Sequence, residues 1–328
     1  MKRIYNLLTI VAALILCSSC NDEWKNEQYE RYISFKAPID AKGVTPIYVR
    51  YKSDGNVAYQ LPLIVSGSTT NDQNITVHVA VDPDTLQVLN YERFQNRTDL
   101  FYKELDAQYF TIPETVDIKA GENTSLLNVN FTLKNLNLVD KWVLPLTIVD
   151  GPSYDYKAHP RKNYRKALLR VMPFNSYSGT YSSTTLNIYL KGSENDASIV
   201  QNTKQVYVFD ETSVFFYAGT VDEDRADRAN YKVYVKFDPK SNNLTFTADN
   251  PQMEFHLNKA PSYTIDEDMD ATRPYLLHRY VTIRNIDYSF ADYTSIPGAK
   301  IEYTVRGSMI LERKINTQIP DEDQAIEW

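Results

Sequence analysis

In the segment SLLNVNFTL, residues 127–133 alternate strictly between apolar and polar side chains. Leu127, Val129 and Phe131 share one face if the segment is extended, and the polar residues between them share the other. A period of two predicts a strand with one buried face. Similar short segments recur along the first half of the chain, among them RYISF, PIYVRY, YQLPLIV, NITVHVAV, KWVLPLTIV and KALLRV. The sequence therefore predicts an all-β fold.

The second half of the chain repeats this organisation with TTLNIYL, KQVYVFD, SVFFYAG, NYKVYVKF, NLTFTA and KIEYTVRGSMILERK. Polar connectors separate these segments, which is typical of antiparallel sheets. Some 300 residues exceed what one core usually holds. We predict an immunoglobulin-like β-sandwich over residues 32–172 and a second antiparallel β domain, a barrel or a sandwich, over residues 173–328. One helix is expected from Asp82 and Pro83, with Leu86 and Leu89 turned inward.

The N-terminal segment has the organisation of a cleaved signal. Lys2 and Arg3 precede an apolar run that is too short for the roughly 20 residues of a membrane-spanning helix. The chain has two cysteines, and both lie in the segment LCSSC that follows this run. A disulfide framework or a thiolate metal site would need cysteines elsewhere. We predict a signal peptide over residues 1–19.

The residues before Cys20 resemble a bacterial lipobox, which implies that Cys20 becomes the acylated first residue of the mature chain. Several acyl chains anchor a protein stably, because each buried methylene contributes about 0.8 kcal/mol. The following Asn21, Asp22 and Glu23 resemble the signal that sends lipoproteins of Bacteroidota to the cell surface. We therefore expect residues 20–31 to be a tether and the protein to be lipid-anchored in the outer membrane, exposed at the cell surface. An ordinary secreted protein is the alternative.

The charge argues against a nucleic-acid partner. Loss of Lys2 and Arg3 with the signal peptide moves the formal charge from −7 to −9. Phosphate backbones are bound by clustered lysine and arginine, and no basic block is present.

Three segments of the first half, YQLPLIVSGSTTNDQNITVHVAVDPDTL, TVDIKAGENTSLLNVNFTL and WVLPLTIVDGPS, resemble the immunoglobulin-like N-terminal domain of surface lipoproteins from polysaccharide-utilisation loci of Bacteroidota. SYSGTYSSTTLNIYL and SVFFYAGT resemble the C-terminal β domain that accompanies it. The resemblance implies a platform without catalytic residues, and a partner in an outer-membrane importer of the starch-utilisation type. DTL at 84–86 also resembles an O-glycosylation signal of this phylum, with Thr85 as the acceptor.

No catalytic motif is present in the sequence, and no cofactor is predicted. The segment DEDMD places acids at positions 1, 3 and 5 of a calcium loop, but Ala271 and Leu277 stand where such a loop needs Gly and Glu. We therefore predict no metal site and keep calcium as an alternative.

Sugars are bound by aromatic faces together with polar groups that take their hydroxyls. Tyrosine is abundant, with 25 residues, and those in loops are the better candidates. The predicted glycan site comprises Tyr263, Asp268, Arg273, Tyr275 and Tyr293. A second candidate loop holds Tyr154, Tyr156, His159 and Tyr164. None of the three tryptophans, Trp24, Trp142 and Trp328, is predicted to form a platform.

The sequence thus predicts a non-catalytic surface lipoprotein that binds glycan for an import system. An assembly or adhesion protein and a cryptic glycoside hydrolase are the alternatives.

Overall fold

The computed structural model describes residues 26–328, so the predicted signal peptide and Cys20 lie outside the described residues. Within residues 26–328 the helices are α1 (Pro83–Phe94) and α2 (Lys162–Arg165). Short 3-10 helices cover Thr98–Leu100, Ala107–Tyr109, Arg228–Tyr231 and Pro251–Met253. The strands are β1 (Ile33–Phe35), β2 (Thr45–Arg50), β3 (Asn56–Val65), β4 (Ile75–Val81), β5 (Lys103–Glu104), β6 (Phe110–Thr111), β7 (Thr115–Ile118), β8 (Thr124–Thr132), β9 (Trp142–Ile148), β10 (Lys166–Phe174), β11 (Gly179–Ser182), β12 (Asn187–Leu190), β13 (Ile199–Val200), β14 (Thr203–Val208), β15 (Ser213–Tyr217), β16 (Lys232–Phe237), β17 (Leu244–Thr247), β18 (His256–Leu257), β19 (Ser262–Met269), β20 (Leu276–Asp292), β21 (Ile301–Asn316) and β22 (Ile326–Glu327).

The first half of the described chain is a sandwich of two sheets. One sheet has the strand order β1-β3-β8-β6, and the other has the order β2-β10-β9-β4-β7 with β5 beside β9. A shared core between them is formed by residues from both sheets, such as Leu63, Phe131 and Leu169. Within it, the alternation of β8 is observed as predicted, because Leu127, Val129 and Phe131 are buried and the asparagines between them are exposed. The all-β prediction is confirmed.

Helix α1 begins at Pro83 after Asp82, as the sequence predicts. Leu86 is buried, and Leu89 and Phe94 pack against the same small apolar cluster on the outside of the sandwich. The expected glycosylation of Thr85 is wrong for the folded protein, because this side chain is 4% exposed. Its hydroxyl donates to Asp82 Oδ2 at 2.7 Å instead.

The second half is one strongly curled antiparallel sheet. Its main path is β13-β12-β21-β11-β14-β15-β16-β17, and β20 extends it from β21 towards β19 and β18. A bridge between Asn243, just before β17, and Ser262, in β19, joins the β17 end of the main path to the branch through β20 in a barrel-like closure. The enclosed core contains aromatic residues from several strands, including Phe216, Phe237 and Tyr288.

The long strands β20 and β21 shift register between Ile283 and Ile286. Gly307 lies on β21 opposite Ile286 with φ +143°, a value that L side chains rarely adopt. A Cβ on Gly307 would come within 1.9 Å of the Thr185 backbone oxygen. The bulge therefore depends on glycine at this position.

The described end of the predicted tether belongs to the first domain. Glu27 accepts hydrogen bonds from the backbone nitrogens of Ser68 and Thr69 at 2.8 and 3.1 Å. Arg31 donates to Glu27 and to the Thr70 backbone oxygen. Residues 27–31 are thus fixed to the loop that follows β3. No helix in the described residues is long and apolar enough to cross a membrane.

Candidate functional site

Tyr263 does not lie in a binding loop. The predicted loop around it is strand β19, where Tyr263 is paired with Ile283 and is 3% exposed. Its ring packs edge-on against Phe237 at 4.9 Å and against Tyr177 at 5.9 Å. Burial raises the pKa of the Tyr263 hydroxyl to about 12. The proposed sugar contact of Tyr263 is therefore wrong, because its ring is part of the second core.

The other predicted residues do not converge on one ligand. Tyr275 precedes β20 and Tyr293 follows it, and a strand of 17 residues spans roughly 50 Å at about 3.3 Å per residue. Asp268 and Arg273 are exposed near the Tyr275 end, where Arg273 donates to Asp270 Oδ2 at 3.0 Å. The five residues predicted from the sequence are thus divided between the core and two ends of the domain.

The segment over residues 266–270 also lacks the loop geometry that the calcium alternative requires. Residues 266–269 belong to strand β19 and are not in a loop. Asp270 accepts hydrogen bonds from the backbone of Thr272 and from the backbone and side chain of Arg273. Across residues 26–328, no three His, Cys, Asp or Glu side chains are grouped so that they could hold a metal ion.

The second candidate loop is built mainly for packing. The Tyr156 hydroxyl donates to the Val149 oxygen at 2.7 Å and accepts from the His78 backbone nitrogen at 3.0 Å. Tyr154 stacks against both His78 and Tyr156, with ring centroids 4.3 and 5.4 Å away. His159 lies 4.6 Å from the partly exposed ring of Tyr164. Two of the tyrosines are therefore occupied by contacts within the first domain.

An exposed aromatic pair lies where the two domains meet. The rings of Tyr48 and Trp328 stack in parallel, with centroids 3.9 Å apart and an interplanar angle of 4°. Tyr48 is 36% exposed and Trp328 is 52% exposed. We call this pair the aromatic platform. The sequence predicts no platform at Trp328, so this pair is found only in the structure.

The first domain supplies Tyr48 from the outer face of a sandwich sheet. In β2 the side chains of Ile47 and Val49 point into the core, so Tyr48 points outward between them. Strand β2 pairs in parallel with β10, and this register places Met172 opposite Tyr48 and Phe174 opposite Arg50. The outer face of these two strands therefore forms the boundary with the second domain.

The second domain holds Trp328 through its last segment. Strand β22 pairs with β21, and Ile326 packs in a small cluster that also contains Phe174. The Phe174 ring meets the Trp328 ring edge-on at 4.7 Å. The Arg313 guanidinium lies 5.5 Å from the Trp328 ring centroid, a distance suited to a cation–π contact. Burial lowers the pKa of Arg313 to about 10, so its guanidinium stays charged at neutral pH.

A groove of about 730 Å³ runs beside the platform. Its walls carry Tyr59 and Gln60 from β3 on one side and Gln324 from the last segment on the other. Arg50 and Asp323 form an ion pair across the domain boundary within this groove. The groove thus combines aromatic rings with amide, carboxylate and guanidinium groups, which is the set of groups that a sugar needs.

A second opening, the interdomain cleft, lies on the other side of Tyr48 and has a volume of about 550 Å³. Arg170 on β10 is 6% exposed and donates from Nη2 to Glu223 Oε2 at 2.6 Å. Lys42 also bonds to Glu223, and the Tyr207 hydroxyl lies 3.2 Å from Oε2. Burial opposes ionisation of Glu223, but the Arg170 charge outweighs it and holds the pKa of Glu223 well below its usual range.

The floor of the cleft contains a buried lysine. Lys204 Nζ donates to the backbone oxygens of Tyr217 at 3.2 Å and Val221 at 3.4 Å, and to that of Gly219. Burial lowers the pKa of Lys204 to about 8. The Lys204 ammonium therefore already donates hydrogen bonds to backbone oxygens of its own domain.

Comparisons with known proteins agree with a two-part chain. A family model described as a domain of unknown function, DUF4973, matches residues 24–152, and a model for a C-terminal domain matches residues 165–310. No curated protein matches the chain.

Several solved structures from Bacteroides are similar over nearly the whole chain. A multidomain protein including DUF1735 from Bacteroides ovatus is 48% identical, with a TM-score of 0.80, and the match covers 90% of this chain and 100% of that one. A protein from Bacteroides thetaiotaomicron VPI-5482, described as an auxiliary nutrient binding protein, is 47% identical, with a TM-score of 0.81 and coverage of 92% and 100%. A third, of unknown function, from Bacteroides ovatus is 36% identical with a TM-score of 0.77, covering 93% of this chain and 97% of that one.

Proposed function

The chain belongs to the family of these Bacteroides proteins, and from that premise we propose that it binds glycan, without catalysis, for a polysaccharide import system. The relative described as an auxiliary nutrient binding protein supports a nutrient ligand. The exposed Tyr48–Trp328 stack is the observation that carries the proposal for this chain.

Stacked aromatic rings suit the apolar face of a pyranose. The two rings cover each other's inner faces, so a pyranose would pack on an outer face of the pair, and burial of that face is favourable at about 25 cal/mol per Å² of apolar area removed from water. The stack fixes the two rings before any ligand arrives, so less conformational entropy is lost on binding. The polar groups of the groove would then bind the hydroxyls at the edge of the sugar ring.

The state of Glu223 supports a role without catalysis. A glycosidase needs one carboxylic acid that is protonated at working pH. Glu223 is a partly buried carboxylate of the cleft, and Arg170 and Lys42 hold it ionised. It therefore cannot serve as the general acid. Release of reducing ends from a bound polysaccharide would contradict this part of the proposal and favour the glycoside hydrolase.

Affinity gel electrophoresis tests the glycan site. Native gels would contain mucin, xylan, galactomannan or polygalacturonate. Tyr48→Ala should abolish most of the retardation that the wild type shows, because loss of about 1–2 kcal/mol of aromatic contact weakens binding about tenfold. Tyr91→Ala is the matched control, since Tyr91 is an exposed tyrosine on α1 that lines neither the groove nor the cleft.

Two results would refute the platform. If Tyr275→Ala releases the polysaccharide and Tyr48→Ala does not, the site lies at the β19–β20 hairpin that the sequence pointed to. If no polysaccharide retards the wild type, glycan binding fails and the assembly or adhesion role becomes the better interpretation.

We also propose that Cys20 anchors the protein in the outer membrane with its body at the cell surface. The sequence at Cys20 and the acidic residues after it support this proposal. Cys20→Ala should abolish incorporation of labelled palmitate, and protease added to intact cells should digest the wild-type protein. Labelled lipid on the variant, or full protection of the wild type, would contradict the anchor or the surface exposure respectively.

A further inference from the structure

The groove and the interdomain cleft meet at strand β2. Pro46 and Tyr48 line both of them. Beyond β2, the groove continues between β3 and residues 321–328, and the cleft continues between β10, residues 201–205 and residues 217–224. A ligand that crosses Tyr48 would therefore contact both domains and both openings.

Each opening has the size of a ligand site by itself. Sites for small ligands range from about 300 to 1,000 Å³, and the groove and the cleft fall within that range at about 730 and 550 Å³. One sugar ring on the platform would leave most of this combined space to further units of the same chain.

The charges of the cleft indicate what those units carry. Its basic side chains are already used, since Lys42 and Arg170 bond to Glu223 and Lys204 bonds to backbone oxygens. Asp222 and Asp224 flank Glu223 in the lining and are exposed, and Asp224 forms an ion pair with Lys141 at 3.5 Å. A carboxylate or sulfate group on a sugar would therefore meet acidic residues without a basic side chain reserved for it.

The groove is lined by equal numbers of basic and acidic side chains. These are Arg50, Lys52, Asp321 and Asp323, and Arg50 is already paired with Asp323. Hydroxyl groups, which both donate and accept hydrogen bonds, can use donors and acceptors of this kind without bringing a charge of their own.

We infer that the ligand is a neutral oligosaccharide several units long, which runs from the groove over Tyr48 into the interdomain cleft. This inference rests on the proposed glycan-binding function and adds the charge class and the extent of the ligand. It assigns the cleft as a second part of the binding site, to which the second domain contributes through β14.

A variant that fills the cleft tests this extent. Thr203 is exposed at the start of β14 and lines the cleft, so Thr203→Tyr should narrow it without removing a buried contact. Thr245→Tyr is the matched control, because Thr245 is an exposed strand threonine on β17 that lines neither opening. Calorimetry would use size-fractionated oligosaccharides prepared from the neutral polysaccharide that retards the wild type.

The wild type should bind longer oligosaccharides more tightly until both openings are filled. Thr203→Tyr should bind disaccharide as the wild type does, but bind the longest fraction about tenfold more weakly. Thr245→Tyr should match the wild type throughout. Oligogalacturonides of matched length should bind at least about tenfold more weakly than the neutral series.

The outcomes separate this inference from the proposed function. If Thr203→Tyr binds every fraction like the wild type, or if affinity does not depend on length, the cleft is not part of the site, while glycan binding on the platform stands. Tighter binding of oligogalacturonides would overturn the neutral ligand class. If the wild type binds no glycan in any assay, both the function and the inference fall.

Discussion

Replacing Glu223 by Gln should destabilise the boundary between the two domains. The Glu223 carboxylate faces Arg170 Nη2 at 2.6 Å, and the side chains of the pair are 8% exposed for Arg170 and 16% for Glu223. Glu223→Gln keeps the shape and one acceptor but removes the charge. Arg170 is then left as a buried cation without its counter-ion.

The magnitude follows from this burial. Breaking a buried ion pair by removing one partner costs about 3–5 kcal/mol, whereas exposed pairs contribute about 0–1 kcal/mol. Because glutamine still accepts a hydrogen bond, we expect the lower end, about 3 kcal/mol. At a slope of about 3 kcal/mol per molar urea, the unfolding midpoint should fall by about 1 M.

The measurement is urea unfolding followed by far-ultraviolet circular dichroism and by tryptophan fluorescence. The Arg170→Met/Glu223→Leu double variant is the matched control, since replacing both charges by apolar groups of similar size is often nearly neutral. It should recover most of the stability that Glu223→Gln loses. A loss below about 1 kcal/mol in the single variant would refute the assigned burial.

The dependence on pH gives a second check. The folded-state pKa of Glu223 lies below the ordinary glutamate value of 4.5, so its ionised form contributes stability that is present above pH 4.5 and is lost as the pH falls through the folded-state pKa. The difference between wild type and Glu223→Gln should therefore be constant from about pH 8 to about pH 5 and shrink in more acidic solution. A difference that grows below pH 4.5 would contradict the assignment.

Three further variants test the second domain by urea unfolding. Tyr263→Ala should cost about 3–5 kcal/mol because it empties a core position, whereas Tyr275→Ala should cost less than about 1 kcal/mol; equal losses would contradict the burial of Tyr263. Gly307→Ala should destabilise by more than about 3 kcal/mol, since its Cβ would overlap a backbone oxygen, and a neutral result would place the bulge elsewhere. Glu312 raises the pKa of His278, so the stability lost in His278→Gln should be present below pH 6.5 and vanish as the pH rises through the folded-state pKa; a pH-independent loss would refute the ion pair.

The parts of the fold that the sequence predicted are those with a local signal. The alternation of β8 is visible because one face of that strand is buried along its length. Helix α1 is visible because Asp82 and Pro83 mark its start. Both signals lie within a few residues of the structure that they specify.

Strand β19 shows where such a signal fails. Its residues from Ile265 to Met269 are exposed, because β19 projects as an outer strand beside β20. Without a buried face no apolar alternation marks the strand, so the sequence predicts a loop for the acidic segment. A loop at this position would expose Tyr263, whereas Tyr263 is buried near the beginning of the strand.

The aromatic platform depends on contacts that no local pattern contains. The alternation of β2 indicates only that Tyr48 faces away from Ile47. Its partner Trp328 is 280 positions further along the chain, and the two meet because β2 pairs with β10 while β22 pairs with β21. A tertiary arrangement of both domains is needed before these two rings can stack.

This arrangement links ligand binding to the stability of the domain boundary. An oligosaccharide that contacts both domains binds the assembled pair and not the separated domains, so it should stabilise the boundary by RT ln(1 + [L]/Kd), or about 2.7 kcal/mol at 100 times Kd. That gain nearly offsets the loss of about 3 kcal/mol expected for Glu223→Gln. Urea unfolding of Glu223→Gln, with oligosaccharide at 100 times the Kd measured for the variant itself, should therefore return to a midpoint close to that of the wild type without ligand. Disaccharide at the same ratio to its own Kd should restore as much if it spans Tyr48 and Trp328, whereas no recovery with either ligand would show that the bound state does not require both domains.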